Sequence, residues 1–215
     1  MRSPALRGLR VLITSGPTRE FLDPIRFLTN ASSGAMGFAL AAAARGLGAE
    51  VVVVSGPVAL AAPRGVTVIP VVTALEMRRE VLKRSRRAAL VIGAAAVSDW
   101  RFAAVARHKI KRRPGTRRLT VVANPDIIKD AASQRRPGQV FVGFALETRD
   151  AARHARAKLA RKGLDLVVAN GPENVASGRA RAMLVSRAGV RSIPVGSKAR
   201  VARAIVAEAV KFLER

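Results

Sequence analysis

Short runs of continuously apolar residues alternate along this chain with longer alanine-rich stretches whose apolar positions recur at helical spacing. The short runs are Arg10–Thr14, Glu50–Ser55, Val66–Pro70, Leu90–Gly93, Phe141–Gly143 and Leu164–Ala169. They lack the polar-apolar alternation of a half-exposed strand, so they predict strands buried on both faces. Helices are expected over Gly34–Leu47, Ala74–Arg87, Pro125–Gln134, Arg149–Lys162 and Ser197–Leu213. Strand and helix in turn imply a mostly parallel, doubly wound, three-layer α/β sheet closed by a C-terminal helix. Two pieces break the alternation. HKIKRRPGTRRLTVV, His108 to Val122, reads as a basic hairpin turning at Pro114 and Gly115, and Arg181–Ile193 reads as a second turning near Gly189.

Composition narrows the picture. An apolar share of 49% over 215 residues supports a sizeable core, and no linker divides the chain, so one domain over residues 1–215 is expected. The longest apolar runs, about ten residues, are short of a membrane span, and MRSPALRGLR lacks the apolar core of a signal peptide. A soluble cytoplasmic protein is expected. With no cysteine there is no disulfide, thiolate nucleophile or Cys-based metal site, and His108 and His154 lie far apart. The formal charge of +25 calls for an anionic partner or for arginine-rich solvated faces. A nucleic-acid surface would interleave stacking aromatics, whereas this chain has no tyrosine, one tryptophan and seven phenylalanines.

In an open α/β sheet ligands bind beyond the C-terminal ends of the strands, where the distinctive residues fall. Ser15, Gly16, Pro17 and Thr18 follow the first strand, and NASSGAMG, Asn30 to Gly37, opens the first helix. Serines and glycines there suit a phosphate received by helix N-terminal amides, or simply a capped helix. The spacing is neither GxGxxG nor a P-loop. Asn30 reads as a turn residue or a ligand contact, and Arg26 as a surface or a site arginine. In GAAAVSDWR, Gly93 to Arg101, small residues would let a ligand lie against the backbone, while Asp99 would bind a hydroxyl or amide or cap the next segment.

Lys109 and Lys111 stand two apart, on one face if the segment is a strand, meeting either phosphates or solvent. Arg112, Arg113, Arg117 and Arg118 beside them would suit nucleic acid equally. ANPDII, Ala123 to Ile128, reads as a helix-capping loop with Pro125 in the first turn. Phe144 in GFALET (Gly143 to Thr148) would stack on a base or pack in the core; Lys158 and Lys162 share a helical face; Asn170 in VVANGPEN ends a strand. No nucleophile, metal cage or paired carboxylate emerges, which points to catalysis by positioning and charge neutralisation.

Those segments, taken in order from VLITSGPTREFLDPIRFLTNASSGAMGFALA through VSGPV, TALEM, GAAAVSDWR, KIK, NPDII and VGFALET to KLARKGLDLVVAN, resemble the phosphopantothenoylcysteine synthetases, the second activity of the bifunctional bacterial coenzyme A biosynthesis flavoproteins. The likeness runs from about Arg10 to Asn170. It implies a Rossmann-like fold whose basic hairpin, about residues 104–122, is a lid. It also implies CTP-dependent ligation of 4′-phosphopantothenate with L-cysteine through an acyl-cytidylate, with Mg²⁺ and without flavin; the alternatives are an ATP-dependent version of the same ligase and a nucleic-acid-binding α/β module that has lost catalysis. By the resemblance Gly16, Ser32, Gly34 and Gly37 approach the triphosphate. Asn30 contacts the pantothenate and supports conversion of the acyl-cytidylate; Arg26 reaches across a homodimer interface. Gly93, Ala94 and Ala95 line the nucleotide site, and Ala95, Ala96 and Asp99 adjoin the substrates. Lys109 belongs to the lid, to catalysis and, with Asp99, to nucleotide binding. Pro125, Asp126, Ile127, Ile128, Phe144, Lys158 and Lys162 match cytidine-nucleotide contacts, and Asn170 a base contact known from ATP-using relatives.

The implied partners are these small molecules, a second copy, and a separate flavin-dependent decarboxylase, with neither membrane nor nucleic acid. The departures are Ala35 where the family usually has a basic residue, Ser98 and Trp100 for the commoner alanine and tyrosine or phenylalanine, the short basic SGRARAMLV, and no flavin-binding half.

Overall fold

The computed structural model describes residues 5–112, 114–146, 149–171 and 178–214. Arg113 of the basic segment, Glu147 and Thr148 of GFALET, Pro172 to Asn174 of VVANGPEN and Ser177 of SGRARAMLV lie outside the described residues. In chain order the elements are β1 (Arg10–Ser15), β2 (Arg19–Phe21), β3 (Phe27–Thr29), α1 (Ala35–Gly46), β4 (Glu50–Ser55), β5 (Thr67–Pro70), α2 (Ala74–Ser85), β6 (Leu90–Gly93), β7 (Trp100–Phe102), β8 (Val121–Ala123), α3 (Ile127–Ala132), β9 (Val140–Leu146), α4 (Ala151–Lys162), β10 (Leu166–Asn170), β11 (Arg179–Ser186), β12 (Gly189–Ser197) and α5 (Lys198–Leu213).

The central sheet has eight strands in the order β12-β11-β10-β9-β6-β1-β4-β5. From β10 to β5 every pairing is parallel; β11 pairs antiparallel with both β10 and β12 and is the one strand of this sheet that runs the other way. The continuous apolar runs are explained by burial on both faces. Val11, Ile13, Leu90, Ile92, Val142 and Val168 pack with α1 and α5 on one side. Leu12, Val91, Phe141 and Val167 join α2, α3 and α4 on the other.

From β1 the chain winds outward to β4 and β5, then crosses back to β6, β9 and β10 on the opposite side. The connections after β1 and β6 therefore leave in opposite directions and open a crevice between neighbouring strand ends. Backbone bonds hold its floor: the Ala96 N–H donates to the Gly16 carbonyl at 2.9 Å and the Ala94 N–H to the Thr14 carbonyl at 3.2 Å.

The structure departs from expectation in three places. The loop after β1 holds an unanticipated hairpin, β2 with β3. Strands of three residues are too short to show a period, and side chains fix this pair: the Phe21 and Phe27 rings meet edge-on at 5.6 Å, and Arg19 lies 4.7 Å over Phe27. The basic excursion is closed by β7 pairing antiparallel with β8, but the paired residues flank it. Described residues between 103 and 120 form no strand, so Lys109 and Lys111 do not obey strand alternation. Arginine-rich sequence interrupted by Pro114 gives that stretch no apolar face to pair with. Finally, α3 is shorter than Pro125–Gln134 and starts later, because Asp126 caps it, Oδ1 accepting the Lys129 N–H at 3.2 Å, which leaves Pro125 ahead of the helix and not in its first turn. The second hairpin, β11 with β12, is present and longer than expected.

Helix α5 braces α1 from behind, with Ile205 fully buried between them and the sheet. Ile205→Ala is expected to lower the unfolding free energy by about 2–5 kcal/mol, measured by chemical denaturation.

Candidate functional site

Beyond the crevice lies a cleft of ≈ 860 Å³ flanked by the loops after β1, β6 and β9 and by the start of α3. Its first wall is the entry to α1. Gly34 is the residue ahead of the helix and adopts a left-handed conformation, φ 75°, so neither serine caps α1 as expected. A β-carbon at Gly34 would stand 2.7 Å from Val58 Cγ1, and one at Gly37 would collide with the Ser15 side chain. Ser15 Oγ donates instead to the Gly34 carbonyl at 3.0 Å, pinning the helix start to the end of β1. The serines steady the turn locally: Ser32 Oγ accepts the Gly34 N–H at 3.3 Å and Ser33 Oγ the Ala35 N–H at 3.4 Å. The helical ladder begins with the Phe38 N–H donating to the Gly34 carbonyl at 3.1 Å. The N–H groups of Met36 and Gly37 therefore precede it and face the cleft end, where the helix dipole favours an anion.

Asn30 joins this wall to the next. Its Nδ2 donates to the Val97 carbonyl at 2.9 Å and the Ala96 carbonyl at 3.4 Å, which leaves the carboxamide oxygen for a ligand. Thr18 Oγ1 accepts the Ser98 N–H at 3.0 Å, a second stitch between the same loops. Asn124 extends the chain of contacts, its Nδ2 donating to the Ser98 carbonyl and its N–H to the Asp99 carbonyl, at 2.9 and 2.8 Å. Asp99 stands exposed at the rim with no side-chain hydrogen bond or ion pair among the described residues. At the far wall Lys158 Nζ donates to the Phe144 carbonyl, and Lys162 Nζ pairs with Asp126 Oδ2 at 2.7 Å. Asp126 thus serves two donors of different kinds, the Lys162 ammonium and the Lys129 N–H in the first turn of α3.

Of the anticipated residues, Asn30, Ser32, Gly34, Gly37, Gly93, Ala94, Ala95, Ala96, Asp99, Pro125, Asp126, Ile127, Ile128, Phe144, Lys158, Lys162 and Asn170 all line the cleft. Gly16, Arg26 and Lys109 do not. Gly16 is buried behind the wall and acts through its carbonyl on Ala96. Arg26 is held by Asp23, whose Oδ2 accepts Arg26 Nε at 2.9 Å. That guanidinium outweighs the effect of burial and, with three backbone N–H donors, keeps the Asp23 carboxyl well below the usual carboxylate range. Lys109 is exposed on the loop tied to this pair.

Sequence reasoning passed over Lys198. It opens α5, lines the same cleft half-buried, and has no hydrogen bond or ion pair among the described residues. Burial pushes its ammonium pKa down from the ordinary lysine value. The signal was present in the sequence: a cation in the first turn of a helix stands against the dipole, and such a placement invites an anion from elsewhere.

The walls together offer backbone amides and a cation for phosphate, a carboxamide and a carboxylate for an amide-bearing chain, and a half-buried phenylalanine flanked by lysines for a ring. Among the described residues no group of three or more His, Cys, Asp or Glu could hold a metal ion, and no helix is long and apolar enough to cross a membrane.

Residues 6–213 match the family described as the DNA/pantothenate metabolism flavoprotein C-terminal domain. The coenzyme A biosynthesis bifunctional protein CoaBC of Vibrio cholerae is 45% identical over 207 residues, covering 94% of this chain and 52% of that protein. The chain thus spans about half the length of the curated relative it matches. The crystal structure of the C-terminal domain of a CoaBC protein superposes with a TM-score of 0.85 at 38% identity, covering 99% of both chains. A Cab2 mutant in complex with phosphopantothenate-cysteine gives a TM-score of 0.80 at 18% identity, over 97% of this chain and 88% of that one, a likeness of fold alone.

Gly37→Ala is expected to force α1 away from β1, lowering stability by about 1–3 kcal/mol and weakening tripolyphosphate binding about tenfold through lost amide donors. Denaturation and titration calorimetry read the two effects.

Proposed function

Since the chain belongs to the DNA/pantothenate metabolism flavoprotein C-terminal domain family, we propose that it ligates 4′-phosphopantothenate to L-cysteine at the expense of CTP. The observation that carries this reading is the continuity of the cleft: an anion-receiving helix end, a bridging asparagine and a lysine-flanked phenylalanine share one crevice.

In this reading the nucleotide tail lies on the Met36 and Gly37 amides and against Lys198, while the cytidine lies toward Phe144, Lys158, Lys162 and the Pro125–Ile128 segment. The acid's carboxylate oxygen attacks the α-phosphorus, breaking the bond to the β-phosphate and releasing pyrophosphate. The amine of cysteine then attacks the acyl carbon, CMP departs, and the surplus proton passes to solvent. The protein supplies alignment and charge, not a covalent partner. Asn30, fixed through its Nδ2 on the β6 loop, presents its oxygen as an acceptor to a hydroxyl or amide N–H of the pantothenate moiety or to the incoming amine.

Mg²⁺ fits as an ion carried on the triphosphate, since it takes one or two carboxylates plus phosphate oxygens, and Asp99 is the unengaged carboxylate on the cleft. Bound there it would neutralise phosphate charge. A catalytic part for Lys109 requires the loop of residues 103–120 to fold over the cleft. A homodimer sharing Arg26, and association with a separate flavin-dependent decarboxylase, complete the proposal. The match of Phe144, Lys158 and Lys162 to cytidine-nucleotide contacts supports CTP over ATP.

Incubation with CTP, Mg²⁺, 4′-phosphopantothenate and cysteine is expected to yield CMP, pyrophosphate and the amide; AMP release with ATP at equal efficiency would remove the nucleotide preference, and silence with every triphosphate would remove the ligase. Asn30→Ala is expected to accumulate acyl-cytidylate, detected by mass spectrometry of the quenched reaction. Lys198→Ala should weaken triphosphate binding about tenfold or more, the scale of one charged hydrogen bond, with little change in turnover at saturation.

A further inference from the structure

Among the described residues outside the cleft the most deeply buried charge is Asp23, which has no solvent exposure and no part in the chemistry above. Its Oδ1 accepts the N–H groups of Ile25 and Arg26, each at 2.9 Å. Its Oδ2 accepts Arg26 Nε at 2.9 Å, Arg26 Nη2 at 2.5 Å and the N–H of Ile110 at 3.1 Å. Arg26 Nη2 in turn donates to the Ile110 carbonyl at 2.8 Å. Ile110 is therefore gripped on both sides of its backbone, by the carboxylate on N–H and by the guanidinium on C=O. A second tie lies nearby, the Ala106 N–H donating to the Leu22 carbonyl at 2.9 Å.

This is more than a local ion pair. An Asp and an Arg three residues apart need only each other, yet both spend hydrogen bonds on a backbone more than eighty positions along the chain. The residue they hold is flanked by Lys109 and Lys111. The described residues between 103 and 120 form no strand; beyond its neck, where the Ala103 N–H donates to the Thr120 carbonyl at 3.0 Å, these side chains and the Ala106 tie set where its lysines stand. Arg26 cannot swing toward a ligand or a partner without releasing the Ile110 carbonyl, and the loop cannot lift without leaving a buried carboxylate short of a donor.

We infer that Asp23 is a positioning residue that yokes the Arg26 turn to the Lys109–Lys111 loop, so that the two cationic elements move as one body relative to the cleft. The consequence for turnover rests on the ligase reading above. The mechanical claim does not.

Two variants test it. Asp23→Asn removes the charge; Arg26→Lys keeps a cation beside Asp23 but cannot reach both the carboxylate and the Ile110 carbonyl, and it serves if the first variant fails to fold. Hydrogen exchange followed by mass spectrometry is expected to show the Ile110 amide opening about tenfold faster or more, and trypsin to cut after Lys109, Lys111 and Arg112 sooner, while amides of β1, β6 and β9 keep their protection. In the ligase assay kcat/KM for the acid should fall with the nucleotide Kd unchanged. Unaltered exchange and cleavage of the loop in a folded variant would overturn the yoke, as would a nucleotide Kd weakened in step with kcat/KM. An unaltered chain that bears no ligase activity would instead sink the functional reading and leave the exchange result to judge the yoke.

Discussion

Everything at the cleft depends on how closely α1 can approach the end of β1. The Ser15 side chain occupies the space that a β-carbon at Gly37 would need, and its hydroxyl donates to the Gly34 carbonyl. The left-handed turn at Gly34 brings the chain into that contact beneath Val58. Because the contact sits where the sheet's winding reverses, the amides at the head of α1 open onto the crevice between β1 and β6. A larger residue at either glycine would tilt the helix and take its dipole off the ligand path.

From this constraint the rest of the site follows as a set of stitches between loops that would otherwise be independent. Asn30 and Thr18 bind the β1 loop to the β6 loop, and Asn124 binds the β6 loop to the segment before α3. Asp126 then ties α3 to α4 through Lys162. Each stitch uses a side-chain amide, hydroxyl or carboxylate against backbone or a lysine, so the walls are ordered before any ligand arrives. Preorganised donors of this kind stabilise developing charge without reorganisation cost, which suits a reaction in which phosphate oxygens carry the charge and the protein forms no covalent bond.

The parallel core was legible because strands buried on both faces write themselves as uninterrupted apolar runs, as in EVVVVS and RVLIT. The cleft was legible because strand C-terminal ends collect ligands in such sheets, and small residues cluster there. What escaped detection shares one cause: it is held by particular side-chain contacts rather than by a repeating apolar face. The β2–β3 hairpin rests on Phe21, Phe27 and Arg19, and the docking of the basic loop rests on Asp23 and Arg26; neither leaves a periodic trace. A shared face for Lys109 and Lys111 depends on their segment being a strand of a hairpin turning at Pro114 and Gly115, and the loop found there shows that a turn signal and a spacing of two do not make a strand where no apolar face sets a period. Lys198 left a faint mark, a cation at the wrong end of a helix, which only its place on the cleft made readable.

The most direct measurement is an amide chemical-shift titration of the isotopically labelled protein with CTP. The account predicts that the largest shifts fall on the N–H groups of Gly34 to Gly37, followed by those of Gly93 to Ala96, with the far ends of α1 and α5 silent. Shifts concentrated on another face, with the amides at the head of α1 unmoved at saturation, would contradict it.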